Sequence, residues 1–144
     1  MNIYGYIEKV RFEPGNSTVK AKLDTGAVSA SLSAINIKYF NKHGEKWLSF
    51  DVPLENERLH LERQLRYYIR IKPRRSEMKK AFKYIAARRP VVTIKLTLGH
   101  DTLDIDVNLT NRSAFNYPLL LGRKSLIRFN VAVNPAKAFV SQLK

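Results

Sequence analysis

Leu103, Ile105, Val107 and Leu109 alternate with Asp104, Asp106 and Asn108, and Gly99, His100 and Asp101 separate this run from the apolar stretch Val91 to Leu98. Period-two alternation puts each set of side chains on its own face of a strand, and a glycine turn between two such runs closes a hairpin. The pattern recurs. Ile3, Tyr4, Tyr6 and Ile7 lead through Val10 and Phe12 to the turn Glu13, Pro14, Gly15, Asn16, and Thr18 to Leu23 returns. Ser31 to Phe40 is rich in β-formers and is turned by Asn41 to Gly44 into Lys46 to Val52. From Leu59 to Ile71 the odd positions are mostly apolar and the even ones polar, which argues a further strand, though the earlier half is also compatible with helix. A short helix is expected over Ser76 to Ala87, with Met78, Phe82 and Ile85, and one or two helical turns over Arg123 to Phe129. Asn130 to Val133, with Phe139 and Val140, is expected to supply closing strands. So many short strands at this spacing predict an all-β barrel or closed sandwich.

With 144 residues, 44% of them hydrophobic, the chain can bury one real core but not two sizeable ones, so residues 1–144 are read as a single domain. Twenty-six Lys and Arg against twelve Asp and Glu give a formal net charge of +14, which favours anionic partners. No cysteine is present, which removes disulfides, thiolate metal sites and a thiol nucleophile together. Met1 to Phe12 carries Glu8, Lys9 and Arg11 and does not read as a signal peptide, and no run is long enough to cross a bilayer. The expected location is cytoplasmic, or periplasmic if a leader has been removed.

Chemistry concentrates at Asp24, Thr25, Gly26 and Ala27, which follow the strand ending at Leu23. A carboxylate at a strand end, with a glycine that lets backbone approach, can meet a second carboxylate and activate a water. The plainer alternative is an Asx-type turn with no catalytic role. Far downstream, Leu119 to Leu121 is an apolar run closed by Gly122 and followed by Arg123.

These two segments together resemble the retropepsin-like aspartic peptidases, in which a strand runs into Asp-Thr-Gly-Ala and a later pair of hydrophobic residues, Gly and Arg lead into a short helix. The chain is most similar to the bacterial branch once labelled ATP-dependent zinc proteases, found beside glutamate ligases that modify ribosomal proteins. The matching stretches are Lys20 to Val52 and Arg89 to Val140. Asn134 stands where that branch has Asp before Pro135, and the basic middle of the chain does not align. The label itself finds no support in the residues. There is no phosphate-binding glycine loop and no His-Glu-x-x-His, and His43, His60 and His100 are scattered, so no cofactor and no metal are expected.

The resemblance implies an acid protease fold, a closed barrel of one lobe with one short helix near the C-terminus. It also implies a homodimer, because a site of this kind needs two aspartates and Asp51, Asp101, Asp104 and Asp106 all lack a following Thr-Gly. On this reading Asp24 is catalytic. Thr25, Gly26 and Ala27 form the active-site loop, with Thr25 bonding the partner's loop, and Leu120, Leu121, Gly122 and Arg123 are structural beneath the site. A basic, flap-like insertion is expected at about 65–98, with arms Leu65 to Lys72 and Arg89 to Leu98 and a tip from Pro73 to Arg88. Between Arg58 and Arg89 twelve Lys and Arg face only Glu62 and Glu77. Arg70, Arg74, Arg75, Arg88 and Arg89 are therefore substrate candidates, and the expected substrate is an acidic peptide or protein. The rival reading is a catalytically silent module that holds an anionic partner, an acidic protein or RNA, through this basic face. Tyr67, Tyr68 and Tyr84 among the cations could stack bases, but no nucleic-acid motif accompanies them, so nucleic acid ranks behind peptide.

Overall fold

The computed structural model describes residues 1–71, 87–111 and 117–141. Its elements are β1 (Asn2–Gly5), β2 (Ile7–Glu13), β3 (Thr18–Leu23), β4 (Ala30–Ser33), β5 (Ile35–Lys42), β6 (Glu45–Pro53), β7 (Arg58–Gln64), β8 (Tyr67–Ile71), β9 (Ala87–Leu98), β10 (Asp101–Thr110), β11 (Leu119–Leu121), helix α1 (Arg123–Arg128) and β12 (Val131–Asn134). Among the described residues every element is a strand apart from α1. Strands run in the order β10-β4-β11-β3-β2-β9, and β9 pairs with β10 to close a six-stranded barrel, while β8 extends β9 as an antiparallel arm. A second sheet, β5-β6-β7, and a small parallel pair, β1 with β12, are the other sheets among the described residues.

The three expected hairpins form where their turn residues permit. Lys42 pairs with Glu45 around His43 and Gly44, both at positive φ (52° and 77°), as a two-residue hairpin loop requires. Ile105, Val107 and Leu109 of β10 point into the barrel with Val92, Ile94, Leu96 and Leu98 of β9 and Leu119 and Leu121 of β11, all essentially buried. Slipping β10 by one residue would exchange its three apolar side chains for Asp104, Asp106 and Asn108. At roughly 2 kcal/mol for each lost burial, that approaches the whole stability of a domain this size. The register is therefore set by the alternation.

Several expectations are corrected. Leu59 to Ile71 is not one strand. The Leu65 amide bonds Lys46 O and the next amide, Arg66, bonds Val91 O, both at 2.9 Å, so the chain leaves one sheet for the other between these residues. Period two is blind to such a change of partner. Ser31 to Phe40 is likewise divided, into β4 and β5, at Ala34. Phe139 and Val140 form no strand; they lie in a segment tied to β2 through the Phe139 amide on Ile7 O at 2.9 Å. The short helix expected over Ser76 to Ala87 and the flap tip lie outside the described residues, except that Ala87 and Arg88 begin β9. No helix among the described residues is long and apolar enough to cross a membrane.

Candidate active site

β3 delivers Asp24. Its last residue, Leu23, pairs in parallel with Leu121 of β11, and the Asp24 amide continues that ladder by bonding Leu121 O at 2.9 Å. The chain then turns on itself. The Gly26 amide donates to Asp24 Oδ1 at 2.8 Å and the Ala27 amide to Asp24 O at 3.2 Å. One carboxylate oxygen is thereby oriented from within its own loop, and Asp24 is left half-buried at the surface of the barrel.

The loop is fastened from below by the downstream segment. Arg123 N donates to Ala27 O at 2.7 Å, Lys124 N to Val28 O at 3.2 Å, and the Arg123 guanidinium to Thr25 O at 3.1 Å. The two backbone donors are first-turn amides of α1, which have no partner inside the helix. Gly122 makes the contact possible, since a Cβ there would stand 2.6 Å from Ser29 O and 2.8 Å from Ala27 O. Leu121 is buried and Leu120 half-buried, with β11 lying between β3 and β4. The Thr25 side chain is exposed and makes no hydrogen bond among the described residues.

Beyond Val28 the loop borders a cavity of about 260 Å³, walled by Ser29, Tyr67, Ile69, Asp106, Asn108 and Arg128 among others. Asp106 accepts from the Thr93 hydroxyl at 2.6 Å and the Tyr67 hydroxyl at 3.2 Å. Burial, reinforced by this carboxylate, pushes the Tyr67 phenol above its ordinary pKa. Asn108, expected on the outer face of its strand, is buried. Its amide donates to Ala30 O at 2.8 Å, and its carbonyl accepts from Arg89 at 3.2 Å. Asn108 did not stand out in the sequence, because the alternation assigns a polar residue to solvent and says nothing about which outer faces are later covered; Tyr67 was singled out there only as a base-stacking candidate.

Alternation also divides the basic candidates. Ile69 pairs with Arg89 and Tyr67 with Val91, which places Arg89 on the cavity face of the β8–β9 arm. Arg70 pairs with Arg88 on the opposite face, where Arg88 stacks 3.9 Å above the Tyr68 ring. Burial pulls the Arg89 guanidinium below its usual value. Arg74 and Arg75 lie outside the described residues. Asp51 and Asp106 are engaged away from Asp24, Asp51 with His60 and Asn36. Among the described residues, no group of three or more His, Asp or Glu is placed to share a metal ion.

Residues 3–144 match the family described as RimB-like, retropepsin-like aspartic endopeptidase RimB. A crystal structure of a Legionella pneumophila protein of unknown function superimposes with a TM-score of 0.82 at 41% identity, over 98% of both chains. Among curated proteins, a probable alpha-L-glutamate ligase of Shewanella pealeana is 32% identical over 126 residues, 87% of this chain and 26% of the relative. One from Parasynechococcus marenigrum is 34% identical over 122 residues, 84% of this chain and 25% of the relative. The chain thus spans about a quarter of the length of these curated relatives.

Proposed function

The chain belongs to the RimB-like family of retropepsin-like aspartic endopeptidases, and we propose that it is an aspartic endopeptidase, active as a homodimer, that hydrolyses peptide bonds in acidic chains. The observation that carries this reading is the Asp24 carboxylate, oriented by the Gly26 amide at 2.8 Å on a loop anchored to Gly122–Lys124. One such carboxylate is half of an acid–base pair. A second Asp24, brought across a two-fold axis, completes it.

Two carboxylates that close cannot both be ionised, so one keeps its proton. The ionised one takes a proton from water as the water oxygen adds to the scissile carbonyl carbon, while the protonated one donates to the carbonyl oxygen. The tetrahedral diol then collapses: the carbon–nitrogen bond breaks and a proton passes to the departing amine. Arg89, on the cavity face and bonded to Asn108, and Lys124 and Arg128, which line the cavity, are the basic residues proposed to meet an acidic side chain. The curated relatives are named for glutamate ligation. A chain extended by added glutamate is an acidic substrate of the proposed class.

Cleavage of a glutamate-rich peptide, followed by mass spectrometry against a neutral peptide at low and high salt, tests the proposal. The wild type should cut the acidic peptide faster at low salt, with specific activity rising as enzyme concentration rises. Asp24→Asn should abolish cleavage with little change in melting temperature. Retained cleavage in that variant would overturn the mechanism, equal rates on both peptides would sink the acidic preference, and no cleavage by the wild type would favour a silent module that binds an anionic partner.

A further inference from the structure

On the outer face of the β2–β3 hairpin, remote in the strand from Asp24, Lys9 pairs directly with Lys20. Both are exposed and neither makes an ion pair among the described residues. Directly opposed like charges, with Cβ atoms about 5 Å apart, disfavour the hairpin that carries them. The alternation of β3 adds Lys22 to the same face.

Two grooves adjoin this pair and both are lined by it. One, of about 690 Å³, continues past Thr18 toward Pro53, Leu54 and Pro118. The other, of about 650 Å³, is bounded by Phe139 and Ser141. Among the described residues Glu55 is the one acidic residue in either lining. Phe139 is 49% exposed and sits at φ 55°, a conformation that a bulky side chain adopts only under constraint. The constraint is visible. Glu8, fully buried, accepts from the Gly5, Val140 and Ser141 amides and the Ser141 hydroxyl at 2.7 to 2.9 Å, fixing the chain just after Phe139. The fold thus holds an aromatic ring half in solvent beside two unpaired lysines.

We infer that this face binds single-stranded nucleic acid, with Lys9 and Lys20 taking successive phosphates and the Phe139 ring stacking on a base. Lysines alone would serve an acidic peptide. The held aromatic ring is what a base adds, and the paired grooves extend the track on either side of the lysines. This face is separate from the peptidase reading and does not depend on it.

Fluorescence anisotropy of a labelled oligouridylate of about 12 nucleotides, titrated with the full chain between about 50 and 200 mM salt, tests the inference. The wild type should bind with strong salt dependence. Lys9→Glu with Lys20→Glu should weaken binding at least about tenfold and lower the log–log salt slope by about 1.4, at roughly 0.7 per phosphate contact on a single strand. Phe139→Leu should weaken binding about fivefold and leave the slope unchanged. Should the charge reversal unfold the chain, seen by circular dichroism, Lys9→Gln with Lys20→Gln carries the same prediction for the slope. No binding by the wild type, or equal binding by the lysine variants, overturns the inference. Displacement of the oligonucleotide by an equal concentration of glutamate oligomer also overturns it, and would assign the face to an acidic peptide.

Discussion

The Arg123 guanidinium reaches Thr25 O across 98 residues of sequence, at 3.1 Å, while its own amide holds Ala27 O at 2.7 Å. One residue therefore holds the Asp24 loop on both sides of Gly26. The backbone bond survives any substitution except proline, but the side-chain bond needs the guanidinium fork.

Arg123→Met should accordingly lower peptide turnover by about tenfold, the effect of a small misplacement of the carboxylate. Stability should fall by only about 1 kcal/mol, since the bond is exposed to water. Steady-state kinetics beside a thermal melt would separate the two. A loss of stability large enough to account for the lost activity would make Arg123 a fold residue only.

Gly122→Ala is expected to be far harsher. The added Cβ meets Ser29 O at 2.6 Å and Ala27 O at 2.8 Å, and both obstacles are backbone held by strands and helix rather than a side chain that can swing away. Overpacking of that kind costs about 1–3 kcal/mol and in addition pushes the loop out of place. Gly44→Ala is the control: nothing stands within 4 Å and only the positive φ of 77° is penalised, by about 1 kcal/mol. Urea unfolding should rank the two in that order, with peptidase activity lost only in the first.

How much of this was legible in advance follows from which physics each feature uses. Asp24, Gly26 and the Leu121–Gly122–Arg123 run were readable because a tight turn and a close backbone approach demand particular residues. The hairpins were readable because alternation encodes register. The division of Leu59–Ile71 was not, since Leu65 and Arg66 bond different sheets with no change in their own periodicity. Nor was Asn108, whose burial is decided by what Arg89 and Ala30 bring to it from elsewhere in the chain. Glu8 is a third case: nothing in its own stretch of sequence marks its carboxylate as buried, and three of its four donor bonds come from residues more than 130 positions away.

On the β5–β6–β7 sheet, Asp51 accepts from Asn36 at 3.0 Å and meets the His60 ring at 2.7 Å, and these two bonds, Asn36 first, hold its carboxyl below the usual carboxylate range. A depressed pKa means the folded state binds its proton more weakly than the unfolded chain does. The resulting stabilisation is present above the unfolded value and is lost as pH falls through the folded one. Asp51→Asn should therefore lower the urea midpoint near neutral pH, and the gap between variant and wild type should close as pH drops below the ordinary carboxylate value of about 3.9. A gap that is constant across that window would assign the effect to packing instead of charge.

Glu8 offers the sharpest test of how the C-terminal segment is held. Its two oxygens accept four donors and are shut off from water, so any group that cannot accept all four leaves buried amides without partners. Glu8→Gln keeps shape and volume but turns an –NH₂ toward those amides. At about 1–3 kcal/mol for each unsatisfied buried group, and more where the lost acceptor was charged, a loss of about 3 kcal/mol or more is expected. The loss should be local before it is global: amide exchange at Val140 and Ser141 should speed up well ahead of exchange in β9 and β10. Because the same segment positions Phe139, this variant should also weaken oligonucleotide binding while leaving the Asp24 loop intact. Unchanged exchange at Val140 and Ser141 would mean that the β2 contact through Ile7 O suffices to hold the segment.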